Sequence, residues 1–296
     1  MDHINCRFFG VFQITLDGEA IAGFHSDKAR ALLAYLALEP DEHQRAELAA
    51  LLWPDIANNH ALTNLRSTLH RLRQTLDAAA PGTAGRLLTV TRQTVRFNLG
   101  FAQVDVLRFR ALLNDTAVAP EDLGRLEAAV ALYRGELLAG FGIADAAPFE
   151  EWLLLRREFY HQQAVLALRT LVTAYETAGR YEAGYALASR LFDLDPYLEA
   201  TVRQKMRLLA RMGHADQALD QFEQLRKRLR TELGTDPAPE SIALIGQIAA
   251  GEFAATATMA DAHAEHTHGA IAGERQAMTL GQARELLVDV PDPGAF

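Results

Sequence analysis

The residues best suited to recognition chemistry lie on one face of a helix that the sequence predicts over 59–79. Arginine can bind guanine through two parallel hydrogen bonds, asparagine and glutamine can bind adenine in the same way, and serine contacts bases or phosphates. The outward face of this helix presents Thr63, Asn64, Ser67, His70, Arg71 and Gln74, with Arg66 and Arg73 on its flank. This pattern predicts a helix that enters the major groove of double-stranded DNA.

A solvated polar face is the other interpretation of the same helix. An ordinary exposed helix mixes glutamates with its lysines and arginines, because opposite charges three or four residues apart stabilise it. Here Asp77 is the only acid between Asn58 and Ala80. The scarcity of acids therefore favours contact with a polyanion over simple solvation.

Two neighbouring segments carry further candidate contacts. Arg45 lies at the start of a second predicted helix, where a cation and the backbone N–H groups can hold one phosphate. Arg92 and Thr94 lie at the tip of a predicted hairpin, 87–91 and 94–98, and arginine is favoured in a narrow minor groove. Lys28 and Arg30, early in the first helix, either touch the DNA backbone or are solvated.

The elements that position these side chains form a recognisable order. Strands are predicted over 7–16 and 20–24 around an Asp-Gly turn, and helices over 27–38, 45–52 and 59–79. The third helix carries an apolar stripe that must face a core, formed by Leu62, Leu65, Leu69, Leu72 and Leu76. Two strands, three helices and a hairpin within 100 residues predict a winged helix-turn-helix.

The remainder of the chain is predicted to be helical. Gly179 and Gly213 begin similar segments at an offset of 34 residues, and Tyr175 and Leu209 share that offset. A 34-residue period is typical of tetratricopeptide repeats, whose helix pairs stack and leave a concave surface. A generic helical bundle is the alternative. Residues 251–296 are expected to be a flexible tail.

Length, charge and cysteine content are compatible with this organisation. The 296 residues suffice for two domains, and the net charge of −9 is an average over unlike segments. Residues 58–98 alone hold six arginines against one acid. The single cysteine permits no internal disulfide, and no apolar run approaches the roughly 20 residues of a membrane span. We therefore expect a cytoplasmic protein.

No enzyme signature is evident. The sequence lacks Gly-x-Ser-x-Gly and His-Glu-x-x-His, so we expect neither catalysis nor a cofactor. His263, His266 and His268 lie in the predicted tail without a carboxylate or cysteine to complete a site, so no metal is expected.

Four stretches of the sequence resemble a known family. The segments 28–38, 45–55, 61–76 and 88–98 are similar to the OmpR-type winged helix of SARP-type (antibiotic regulatory protein) bacterial activators. Phe149-Glu-Glu-Trp152 and the segment 228–240 resemble the bacterial transcriptional activator domain that follows it. The resemblance covers about residues 7–248. It divides the chain into a winged helix at 1–100, an activator domain at 105–250 and the tail at 251–296.

The resemblance implies a function and several partners. It implies a transcriptional activator that binds direct repeats of DNA, as a homodimer, and recruits RNA polymerase. The chain departs from many relatives because it has no Gly-x-x-x-x-Gly-Lys-Ser/Thr loop, which argues against nucleotide-driven control within it. A scaffold or adaptor that binds a protein partner through its repeats, or the regulatory part of a signalling ATPase system, are the alternative functions.

Overall fold

The computed structural model describes residues 4–114 and 123–253. Over those residues the chain forms two compact units, which divide inside a long helix between Ala164 and Val165. The first unit therefore contains residues 105–164 together with the winged helix, whereas the sequence predicted a domain boundary between 100 and 105. From residue 254 onward the predicted tail, with His263, His266 and His268, lies outside the described residues.

The first unit contains two small sheets and a set of helices. Its strands are β1 (Ile4–Arg7), β2 (Gln13–Leu16), β3 (Glu19–Ala20), β4 (Glu42–Gln44), β5 (Leu88–Val90), β6 (Thr94–Phe97) and β7 (Ala102–Val104). Its helices are α1 (Asp27–Leu38), α2 (Arg45–Leu52), α3 (Asn58–Ala79), α4 (Thr83–Leu87), α5 (Asp105–Asn114), α6 (Leu123–Leu132) and the first part of α7 (Ala147–Thr177). The strand orders are β3-β2-β1-β7 and β4-β6-β5.

The predicted strand over 7–16 is wrong, because the chain makes two strands there. Gly10 has a φ of +92°, which favours glycine, and its N–H donates to the Glu136 carbonyl oxygen at 2.9 Å. The backbone therefore leaves the sheet between β1 and β2. The predicted Asp17-Gly18 turn is confirmed, with both residues at positive φ, but the return strand is only Glu19–Ala20 rather than 20–24.

The three helices of the winged helix agree with prediction. α1 and α2 have the predicted bounds, and α3 begins one residue before the predicted start. The Ser26 hydroxyl caps α1 by accepting the Ala29 N–H at 3.2 Å. The leucine stripe of α3 faces the core, where four of its five members are buried and Leu62 is half-buried. The sequence did not predict β4, β7 or the short helix α4.

Residues 105–164 are fastened to the N-terminal sheet by buried polar contacts. β7 pairs in parallel with β1, and α5 begins at once with Asp105, which is 7% exposed. Its carboxylate accepts the N–H groups of Phe8 at 2.9 Å and Phe9 at 3.2 Å, and pairs with Arg134 at 2.7 Å. The Leu138 N–H donates to the Phe8 carbonyl oxygen at 2.7 Å. This network joins the residues that follow β1 to α5 and to the segment that follows α6.

An aromatic cluster and a second carboxylate reinforce the same junction. The Phe9 ring lies 5.1 Å from Phe109, 4.9 Å from Tyr133 and 5.7 Å from Tyr160, between ring centroids. Glu39, at the end of α1, accepts hydrogen bonds from α7: from the Trp152 indole at 2.9 Å and from the buried Arg156 guanidinium at 2.6 Å. The first unit thus has one continuous core that extends well beyond the winged helix.

The second unit consists of antiparallel helix pairs. It contains the end of α7 followed by α8 (Tyr181–Leu194), α9 (Glu199–Arg211), α10 (Ala215–Arg228) and α11 (Pro239–Ala249), with a π-helical turn over Leu229–Leu233. No helix in the described ranges has the length and apolar content to cross a membrane.

The predicted 34-residue similarity is visible as a repeated turn. After α7, the Arg180 N–H donates to the Tyr175 carbonyl oxygen at 2.9 Å, across Gly179 at a φ of +71°. After α9, His214 donates to Leu209 at 2.9 Å, and Gly213 has a φ of +82°. Both helices therefore end in the same glycine-dependent cap, 34 residues apart. This spacing supports the tetratricopeptide-like interpretation.

A buried lysine interrupts the core between α8 and α9. Lys205 is 7% exposed, and its ammonium nitrogen lies 4.6 Å from the ring centre of Phe192 and 5.5 Å from that of Tyr185. No hydrogen bond or ion pair joins it to any residue in the described ranges. Burial lowers the pKa of Lys205, Asp193 raises it, and Arg228 lowers it. The aromatic faces thus compensate only part of the desolvation cost.

Replacing Lys205 with methionine should increase the free energy of unfolding by about 1–2 kcal/mol at pH 7, because methionine has a similar volume to lysine and carries no charge to bury. A folded-state pKa below the unfolded value means that the unfolded chain binds more protons at alkaline pH, so wild-type stability rises with pH there. The advantage of the variant should therefore shrink as the pH rises towards 10. Urea unfolding at several pH values measures this, with the exposed Lys227→Met as control. An advantage that grows with pH contradicts the prediction.

Candidate nucleic-acid interface

The outward face of α3 is exposed and hydrophilic. Of the seven predicted contact residues on this helix, Asn64 is half-buried at the edge of the leucine stripe and six are exposed: Thr63, Arg66, Ser67, His70, Arg71 and Gln74. The Thr63 hydroxyl donates to the Asn59 carbonyl oxygen at 2.9 Å, so it can only accept a further hydrogen bond. The face therefore offers mainly donor groups to a ligand.

A groove separates α3 from the start of α2 and from the wing, which is the β5–β6 hairpin. It is lined by Arg45, Arg66, Leu69, His70, Arg73, Gln74, Asp77, Ala78 and Val90. Arg66, His70 and Arg73 lie within 60° of one another around the helix at 100° per residue. Four predicted contact residues, from two helices, thus meet along one groove, and Arg73 joins them.

The wing turn is held by its own side chains. The Thr91 hydroxyl oxygen accepts the N–H groups of Gln93 at 3.2 Å and Thr94 at 2.9 Å, and lies 2.8 Å from the Thr94 hydroxyl oxygen. Arg45 binds the same turn twice. Its backbone N–H donates to the Gln93 carbonyl oxygen at 2.8 Å, and its guanidinium donates to the Thr91 carbonyl oxygen at 3.3 Å. The turn is therefore tied to α2, and Arg92 is exposed at its tip.

These contacts change the predicted roles of two residues. Arg45 is half-buried and spends one guanidinium donor on the wing, which leaves four of its five N–H donors for a phosphate. The Thr94 hydroxyl donates to the Glu42 carboxylate at 2.5 Å, so its main role in this structure is to fix the wing.

The cations of this surface are not neutralised by carboxylates. We call the basic surface the set of six arginines Arg45, Arg66, Arg71, Arg73, Arg92 and Arg96. None of the six has an ion pair with a residue in the ranges 4–114 and 123–253, whereas elsewhere in the first unit Arg134, Arg156 and Arg157 are paired. Desolvation of the basic surface by a phosphate backbone therefore requires no ion pair to be broken.

Lys28 and Arg30 do not belong to the basic surface. The Lys28 ammonium pairs with Asp145 at 2.8 Å and lies 5.1 Å from the ring centre of Trp53, and Arg30 pairs with Asp27. The Lys28 ammonium is paired within the protein, so it is not simply solvated and is not available as a free cation for DNA.

The acids nearest the basic surface are each bound by a local hydrogen bond. Asp77 accepts the Ala84 N–H at 2.9 Å at the start of α4, and Glu47 accepts the Gln44 N–H at 3.2 Å in a capping box. Glu42 accepts the Thr94 hydroxyl. Sequence reasoning missed Glu42, which is the register partner of Arg96 across β4 and β6; Arg96 is one of the six arginines of residues 58–98 but is not among the predicted contacts. Without a predicted β4, nothing in the sequence placed Glu42 beside the wing.

The second unit contains a groove of a different character. Its walls come from α7, α9 and α11, and three arginines one helical turn apart line it: Arg203, Arg207 and Arg211. Arg207 pairs with Glu176 at 2.9 Å, Arg203 donates to Ser241 at 3.1 Å, and Arg211 stacks on Phe253. These cations are engaged internally, unlike those of the basic surface. Across the described residues, no cluster of histidine, cysteine or acidic side chains is placed to hold a metal ion.

Comparisons with known proteins connect this architecture with transcriptional regulators. Residues 104–249 match the family described as "BTAD: Bacterial transcriptional activator domain". The chain is 29% identical over 227 residues to "Transcriptional regulator RedD" of Streptomyces coelicolor, a match that covers 73% of this chain. The chain spans 62% of the length of that curated relative.

A solved structure shows the same fold. The structure titled "Mycobacterium tuberculosis EmbR in complex with low affinity phosphopeptide" matches with a TM-score of 0.58 over 88% of this chain and 72% of that chain, at 22% identity. This likeness confirms the predicted fold class, a small α+β region followed by a helical domain.

Proposed function

We propose that the chain, whose residues 104–249 match the bacterial transcriptional activator domain, is a SARP-type transcriptional regulator that binds double-stranded DNA sequence-specifically. In this proposal α3 enters the major groove, with Ser67, His70, Arg71 and Gln74 contacting base edges. The wing and Arg45 contact the flanking backbone or minor groove. Thr63 and Asn64 contribute at the edges of the α3 surface.

One observation carries the proposal. The basic surface presents six arginines without an ion pair, and the three nearby acids each hold a local structural element instead of an arginine. An adaptor that binds proteins through its repeats has no need for such a surface. Binding to a phosphate backbone instead gains free energy, because each cation that contacts a phosphate releases condensed counterions.

The family supplies the remaining parts of the proposal. We propose that the protein activates transcription in the cytoplasm by recruiting RNA polymerase, and that it binds direct repeats as a homodimer. It needs no catalysis or cofactor for this role. A scaffold function for the repeat unit is the second candidate, and the arginine-lined groove of that unit is the feature that favours it.

Arg71→Ala should weaken binding to a selected DNA fragment by about 1–3 kcal/mol, the range for one bidentate contact with a base. The fragment is selected from a genomic library, and binding is measured by fluorescence anisotropy at several salt concentrations. Affinity should fall steeply with salt for the wild type, because phosphate contacts release counterions. The loss should depend on the base pair at one position of the site.

Arg108→Ala is the matched control, since it removes an exposed arginine from α5, outside the basic surface. It should bind as the wild type does. If no fragment is enriched by the wild type, or if both variants lose the same affinity on every sequence, the basic surface is not a sequence-specific interface and the scaffold function takes precedence.

A further inference from the structure

Glu42 is an exposed carboxylate beside the wing and the basic surface. It lies on β4, directly opposite Arg96 of β6 in the strand register. Its Oε1 atom accepts the Thr94 hydroxyl at 2.5 Å, and the Thr94 hydroxyl oxygen lies 2.8 Å from that of Thr91. Thr91 in turn accepts two backbone N–H groups of the wing turn. One short chain of hydrogen bonds therefore connects Glu42 to the wing tip.

This placement costs affinity for any polyanion. Like charges that approach each other near a protein surface repel. The Glu42 charge acts on every phosphate that approaches the wing, irrespective of base sequence. Its hydrogen bond, by contrast, acts only on the conformation of the wing turn. The two effects are separable, because an amide keeps an acceptor oxygen and has no charge.

We propose that Glu42 is a positioning residue for the wing whose charge also weakens the sequence-independent part of DNA binding. Through Thr94 it holds the wing turn in the conformation that fits the target groove, and through its charge it lowers the affinity of the same surface for any DNA, non-target DNA included. The second part rests on the proposed function, whereas the first concerns the free protein alone. A wing held in advance avoids the ordering cost that a flexible loop incurs on binding.

Three variants separate the two effects. Glu42→Gln keeps the acceptor, so amide hydrogen exchange at Gln93 and Thr94 should match the wild type in the free protein. Its affinity for non-target DNA should rise about two- to fivefold, as expected for one exposed charge. Glu42→Ala and Thr94→Val both break the chain, so both should exchange these amides faster. They should also lose affinity for the selected fragment, although only Glu42→Ala changes the charge.

Glu19→Gln provides the control, since it removes an exposed acid from β3, in the other sheet. It should change neither exchange nor affinity. Wild-type exchange rates in both Glu42→Ala and Thr94→Val overturn the positioning role. An unchanged affinity for non-target DNA in Glu42→Gln overturns the role of the charge. If the wild type binds no DNA, the proposed function fails and the role of the charge with it, while the exchange result in free protein still decides the positioning role.

Discussion

Replacing Asp105 with asparagine should lower the free energy of unfolding by about 3–5 kcal/mol, the range for breaking a buried charged pair. The carboxylate accepts backbone N–H groups of Phe8, Phe9 and Val106 and the guanidinium of Arg134. An asparagine has one acceptor oxygen, so its NH2 group must face a backbone donor, and at least one buried N–H is left unsatisfied. Urea denaturation measures the loss.

The ion pair and the amide contacts contribute unequally to this loss. Burial raises the pKa of Asp105 above its usual value, and the N–H groups of Phe8 and Phe9, together with Arg134, offset only part of that rise. Arg134 is 41% exposed, so Arg134→Met should cost only about 1 kcal/mol. In Asp105→Asn the amides of Phe8 and Phe9 should exchange faster with solvent. If the two variants unfold at the same urea concentration, the backbone contacts are not the main source of stability.

A fragment of residues 1–100 should not unfold cooperatively, whereas a fragment of residues 1–164 should. The shorter fragment lacks β7 and Asp105, and it leaves Phe8 and Phe9, both nearly inaccessible in the structure, without most of their partners. Losses of several kcal/mol are comparable with the whole stability of a small domain, about 5–15 kcal/mol. Thermal unfolding followed by circular dichroism distinguishes the two fragments.

The longer fragment also tests the domain organisation. Residues 1–164 contain the complete basic surface, so this fragment should bind the selected DNA, although without contacts that a dimer adds. A well-folded, DNA-binding fragment of residues 1–100 would show that the sequence-based boundary near residue 100 is the correct one. Loss of folding in both fragments would place stabilising contacts beyond residue 164.

The helices and the wing were predictable from sequence because their signals are local. The leucine stripe of α3 fixes the face that is buried, and the Ser26 cap and the Pro40 break delimit α1 within one turn. The same locality explains the site: once the stripe is buried, the opposite face of α3 must be exposed. The residues named for that face lie on it, with Asn64 at its margin.

What the sequence did not reveal depends on contacts between distant segments. β4 is three residues long and polar, and only its pairing with β6 makes it a strand. Asp105 resembles an ordinary first-turn acid of a helix, and its burial beneath β1 comes from residues about 97 positions away. In the sequence Gly10 looks like part of a strand, because its hydrogen bond to the Glu136 carbonyl oxygen exists only in the folded protein. Short-range patterns carry no information about such partners.

The parallel pairing of β1 with β7 has a consequence for synthesis on the ribosome. β2 follows β1 within a few residues. Ile4, however, can pair with Ala102 only after β7 has been translated, and the Phe8 carbonyl oxygen can accept its hydrogen bond only after Leu138 has been translated. At about 5–20 residues per second, roughly 5–25 s pass between translation of these partners. During that interval the apolar run 8–12 has no finished core to enter. The segment that contains β1 is therefore buried long after it is translated, and nascent chains should depend on a chaperone until Leu138 has emerged.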